Sequence, residues 1–105
     1  MALAYGFTIT RDHIDGPAGD LLGVISKHAA APIYEALATA LICGTLPETA
    51  RRFRLKDDDG QVYYEGYFMG DHTSEDAFAP LEWAIDYAGC TSIEYLQDNG
   101  QWEVL

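Results

Sequence analysis

Between Arg52 and Met69 apolar and polar side chains alternate on both sides of a single turn signal, and no other stretch of this chain narrows its fold so far. Phe53 and Leu55 stand between Arg52, Arg54 and Lys56, the period-2 spacing of a strand with one buried face. The run stops at Asp57-Asp58-Asp59-Gly60, where aspartate can hydrogen-bond its own turn and glycine can take a positive φ. Val62, Tyr64 and Phe68 then fall on one side of a returning strand, with Tyr63, Glu65 and Tyr67 on the other. The spacing predicts a β-hairpin over residues 52–69.

Similar patterns surround it. Tyr5, Phe7 and Ile9 alternate with Gly6, Thr8 and Thr10, which predicts a first strand over 4–11. Asp15 to Asp20 concentrates turn residues, and residues 21–26 are expected to form a second strand. Pro32 suits the first turn of a helix, Ile33, Leu37, Ala40 and Leu41 recur on one face, and Gly44 supplies a stop, so a helix is expected over 32–43. Its only charge is Glu35, which implies burial on more than one side. Thr73 and Asp76 have capping-box spacing ahead of a helix over 74–88; Pro80 means either a late start or a short turn over 74–79 before the main helix. Thr91, Ile93 and Tyr95, then a turn at Asp98-Asn99-Gly100, then Trp102 and Val104 complete the chain as two strands. The order ββ-α-ββ-α-ββ predicts a single α+β domain over 1–105, an antiparallel sheet built from hairpins with two helices packed on one face.

Of the 105 residues 49% are hydrophobic, enough apolar material for a core of its own. The net charge of −11 is unevenly placed: residues 1–50 hold two cations against five acids, residues 51–56 hold four cations and no acid, and residues 57–105 hold twelve acids and no Lys or Arg. Such a surface repels nucleic acid and anionic membrane while steering basic partners toward it. Residues 1–8 lack a basic start and an unbroken apolar stretch, and Cys43 and Cys90 form no CxxC pair, so a reducing, cytoplasmic setting is expected.

Few motifs carry chemistry. If Gly60 is set as the invariant glycine of an EF-hand loop, Leu55 takes position one and Gly66 position twelve, and neither side chain can ligate calcium. The aspartates therefore read as a turn. His13 and His72 each follow an aspartate, but neighbours on an extended chain point apart; with His28 and Cys90 they could form a thiol or metal site only by tertiary convergence. Phosphate-binding glycine motifs are absent. No catalytic, cofactor or metal residue is assigned.

The second helix is more informative. At about 100° per residue, Phe78, Leu81, Ile85 and Ala88 share one face, expected to be the core side. Glu75, Glu82 and Asp86 form another stripe, with Trp83 and Tyr87 beyond it. Acids flanked by a Trp and a Tyr suit docking onto a basic protein surface, because aromatic side chains anchor interfaces and spaced carboxylates can occupy a phosphate-reading groove. The expected partner-binding residues are Glu75, Glu82, Trp83, Asp86 and Tyr87.

Phe53-Arg54-Leu55-Lys56-Asp57-Asp58-Asp59-Gly60, Tyr63-Tyr64-Glu65-Gly66, Ala77-Phe78-Ala79-Pro80-Leu81 and Ala88-Gly89-Cys90-Thr91, with Trp102, resemble a family of small proteins without an assigned activity from bacteria and their phages or plasmids. That resemblance implies a mobile-element setting, in which small acidic inhibitors of the anti-CRISPR or anti-restriction type act. The leading expectation is a non-enzymatic acidic binding protein whose partner is a basic, nucleic-acid-binding protein. The alternatives are an accessory domain, acidic for solubility and homodimeric through an edge strand, and a small hydrolase or metal-dependent enzyme.

Overall fold

A computed structural model describes residues 5–14, 16, 22–23, 25–26, 29–44, 50–70 and 75–105, apart from the side chains of 86–88. Five strands form one antiparallel sheet: β1 (Gly6–Asp12), β2 (Ala50–Lys56), β3 (Val62–Met69), β4 (Ser92–Leu96) and β5 (Trp102–Val104), in the spatial order β1-β3-β2-β4-β5. Helix α1 (Ala31–Cys43) joins β1 to β2, and α2 (Ala79–Ala88) joins β3 to β4. The chain is α+β, and the order β-α-β-β-α-β-β is close to the expected one. Of the proposed strand over 21–26, the described residues contribute only a single bridge between Ile25 and Thr8. The turn-rich stretch 17–20, His28, His72 and Thr73 lie outside the described residues.

The 52–69 hairpin is present, with Phe53 paired to Gly66 and Leu55 to Tyr64. Its turn is organised by Asp57. The Asp57 carboxylate accepts the backbone N–H of Asp59 and of Gln61, each at 2.9 Å, while Gly60 has φ 81°. The N–H of Gln61 is the main reason the Asp57 carboxyl lies below its ordinary range.

Strand alternation then sorts the side chains. Phe7, Ile9, Phe53, Leu55, Tyr64, Phe68, Ile93 and Tyr95 are buried on one face, where they form the core with Ala77, Ala84 and Cys90. Each fully buried Phe, Ile or Leu contributes about 1.5–3 kcal/mol by leaving water. Edge-to-face ring pairs fix the packing, with Phe7 and Phe53 at 6.2 Å and Phe68 and Tyr95 at 5.8 Å between centroids.

The two helices do not share this face. Ala84 of α2 belongs to the aromatic core, and the helix contacts β2 and β4. Helix α1 contacts β1 and β3. It lies on the opposite side, because a side chain at Gly6, which alternates with Phe7, would run into Ile33 and Ala29 at 2.9 Å. A cavity of about 310 Å³ between Thr8, Tyr67, Ala40 and Leu41 marks the same layer. The single-layer expectation gives way because β1 can accept packing on each side, with Phe7 and Ile9 on one and Gly6 and Thr8 on the other.

Candidate partner-binding surface

The approach to β4 begins with a 3₁₀ turn, Glu75–Phe78, and continues as α2 with Pro80 in its first turn, so the segment has both the late helix start and the short preceding turn. Pro80 fits there because the first N–H groups of a helix have no intrahelical acceptor. Gly89 ends the helix at φ 71°, donating its N–H to the Ile85 carbonyl.

The face turned to the sheet is not the one the hydrophobic residues predict. Ala77, Pro80 and Ala84 are buried, whereas Phe78 is 37% and Ile85 52% exposed. Leu81 is half-buried against the core. The reason is volume. Phe53, Phe68 and Tyr95 fill the space above the sheet, so small residues form the line of closest approach with Leu81 and Trp83 at its flanks, and the Tyr95 hydroxyl donates to the Ala77 carbonyl at 2.8 Å. Burial pushes the Tyr95 phenol well above its usual range, so it stays a donor.

Of the expected partner-binding residues, Glu75 and Glu82 are exposed. Trp83 is half-buried and packs its ring edge-on against Phe7 at 5.9 Å and Tyr64 at 5.6 Å, which makes it a flank of the core and not an outward anchor. Asp86 and Tyr87 lie on α2, and their side chains are outside the described residues. The outward stripe reads Glu75, Phe78, Glu82, Ile85 at intervals of three, four and three. Two acids thus alternate with two exposed apolar side chains. The run of small residues Ala77, Pro80 and Ala84 was the signal in the sequence that could have located this stripe.

The cations of β2 are used within the domain. Arg51 reaches Asp98 at 3.0 Å, Arg52 reaches Glu65 at 3.6 Å, and Arg54 and Lys56 both meet Glu94, at 2.5 and 3.1 Å. Cross-strand register produces these contacts, since Arg54 stands opposite Glu65 on β3 and Glu94 on β4. The Arg54 guanidinium also lies over the Trp102 ring, 4.2 Å from its centroid. Burial tends to raise the Glu94 carboxyl, but hydrogen bonds and charge from Arg54 and Lys56 prevail and lower it.

Two further groups bear on chemistry. His13 Nε2 lies 2.7 Å from Glu65 Oε2, and His13 lines a cavity of about 550 Å³ with Thr10, Arg11, Asp12, Gly16 and Leu22. An imidazole and a carboxylate do converge here, although Glu65 also serves Arg52 and the Thr10 hydroxyl is bonded to the Glu65 carbonyl. Cys90 is sealed in the core, and burial, reinforced by the charge of Asp57, pushes its thiol up to about 11, far from a thiolate nucleophile at neutral pH. Cys43 is exposed at the end of α1; neither cysteine is in a disulfide. Among the described residues no three His, Cys, Asp or Glu side chains gather as a metal site would require. No helix among them is long and apolar enough to cross a membrane.

No protein-family model, no curated protein and no solved structure matches this chain. The resemblance of its central and C-terminal segments therefore brings no residue roles with it.

Proposed function

We propose that this chain acts by binding, as a non-enzymatic acidic protein that docks through the outward stripe of the 3₁₀ turn and α2 onto a basic, amphipathic protein surface. The observation that carries the reading is the alternation of exposed Glu75 and Glu82 with exposed Phe78 and Ile85. Carboxylates steer and orient a basic partner, and the apolar side chains supply contact area that charge alone does not. The internal pairing of Arg51, Arg52, Arg54 and Lys56 supports it, because those cations are engaged with Asp98, Glu65 and Glu94 and not with Glu75 or Glu82. The groove of a nucleic-acid-binding protein is the kind of surface such a row of acids suits, with the stripe standing in for phosphates; this would make the chain an inhibitor of that protein.

The test uses a partner isolated on the immobilised chain and then purified. Association should slow as salt rises, because exposed charges are screened over roughly 8 Å at physiological ionic strength. Glu82→Lys with Asp86→Lys should slow association by about tenfold, while Phe78→Ser with Ile85→Ser should mainly speed dissociation. A partner that binds all these variants as fast and as tightly as the parent at low salt would remove the stripe from consideration.

A further inference from the structure

We propose that the outer face of α1 is the contact through which two copies of this chain form a dimer. At about 100° per residue, Ile33, Leu37 and Ala40 point inward; Leu37 and Ala40 are buried and Ile33 lies against Gly6. On the other side Tyr34, Ala38 and Ile42 fall within a stripe roughly 80° wide, while Leu41, nearer to Leu37, lines the cavity against the sheet. Tyr34 is 48% exposed and Ile42 85%. A helix apolar over most of its circumference is ordinarily covered on more than one side, and among the described residues only the Ile33, Leu37 and Ala40 side of α1 is packed against the sheet.

Charge selects the occupant. The chain carries −11, and α1 contributes a single acid, Glu35, and no cation. A basic partner has no electrostatic reason to prefer this helix to the acidic stripe of α2. For a second acidic copy the reverse holds, since a nearly neutral face is where two like-charged molecules meet with the least repulsion.

The shape of the stripe agrees. Ala38 sits midway between Tyr34 and Ile42, so with the two helices antiparallel and a two-fold axis at Ala38, Tyr34 of each copy meets Ile42 of the other. The small Ala38 side chains meet at the crossing, where the backbones must come closest. One patch thereby closes on itself, as an isologous interface requires.

Sedimentation equilibrium of the whole chain, from micromolar to submillimolar concentration and at low and high salt, tests this directly. The dimer should tighten as salt screens the repulsion between copies, a dependence opposite in sign to docking on a basic partner. Ile42→Glu places a charge at a site already open to water, so the monomer should keep its circular dichroism while dimer affinity falls about a hundredfold. Ala38→Cys in a Cys43→Ser background should form an intermolecular disulfide on mild oxidation. A chain that stays monomeric at high salt throughout that range overturns the proposal. So does a dimer that weakens with salt or that survives Ile42→Glu at parental affinity, the latter placing the contact elsewhere, such as the edge of β5. A parent that cross-links through Cys43 while the Ala38→Cys variant does not would overturn the two-fold at Ala38.

Discussion

Helices α1 and α2 begin and end alike and differ in everything between. Each has a proline in its first turn, no side-chain cap, and a left-handed glycine at its end whose N–H returns to the carbonyl four residues back. Helix α2, with the turn before it, presents Ala77, Pro80 and Ala84 to a sheet surface crowded with Phe53, Phe68 and Tyr95. Helix α1 presents Ile33 to a surface where β1 carries Gly6. Large meets small in both layers, with the roles exchanged, because a close-packed interior fixes the combined volume of helix and sheet and not the share of either. A consequence follows for the outside. Two large apolar residues, Phe78 of the turn and Ile85 of α2, are left outside the core and join Glu75 and Glu82, whereas α1 has apolar residues to spare on an outer face whose one charge is Glu35.

Two sheet glycines, Gly66 on the aromatic face and Gly6 beneath α1, should respond unequally, and this is the largest effect expected. A Cβ at Gly66 would lie 1.9 Å from the Thr8 carbonyl oxygen and 2.9 Å from the Phe53 ring. Backbone cannot yield there without breaking the pairing of β1 with β3, so Gly66→Ala should cost about 4 kcal/mol or more, most of the stability of a small domain. At Gly6 the nearest atoms belong to the side chains of Ala29, Ile33 and Ser26, at 2.9, 2.9 and 3.2 Å. These can shift, and Gly6→Ala should cost only about 1–2 kcal/mol. Urea unfolding measures both, and equal losses would break the contrast between a layer held by backbone and one held by side-chain ends.

Within α2 itself, Trp83→Ala should cost about 3 kcal/mol through lost packing against Phe7 and Tyr64, while Ile85→Ala should stay within about 0.5 kcal/mol. Thermal unfolding of the two variants decides whether the helix is turned as described. The opposite ranking would restore Ile85 to the core and free Trp83 to act as an anchor.

The smallest effect concerns the part of the α1-side sheet face formed by β2 and β4, where charge pairs stand in place of a helix. The Glu94 carboxyl is lowered from its ordinary 4.5 in the folded state. A depressed carboxylate stabilises the fold above its unfolded value, and that contribution is lost as pH falls below about 4.5 through the folded value. As pH falls from neutral to below about 4.5 the parent should therefore lose more stability than Glu94→Gln, read from urea midpoints. Parallel pH profiles for parent and variant would show that Arg54 and Lys56 do not select the ionised form.

The hairpin over 52–69 is legible because its cues are local: alternation assigns Phe53 and Leu55 to one face, and the carboxylate of Asp57 closes its own turn. The same holds for the proline starts and glycine stops of both helices and for the strands that follow Gly89. The acidic balance after residue 56 is likewise fixed by composition. Which face of α2 turns inward was decided by the aromatic side chains of β2, β3 and β4, which bring Ala77, Pro80 and Ala84 to the buried line and leave Leu81 and Trp83 at its flanks. The assignment of α1 to the opposite side of the sheet from α2, the pairing of Arg52 with Glu65 and the encounter of His13 with Glu65 are decisions of the same kind. Hydrophobic periodicity reports how apolar each face of an element is; how much volume that face is allowed to bring is set by the surface it meets, and that surface exists only once the sheet has assembled.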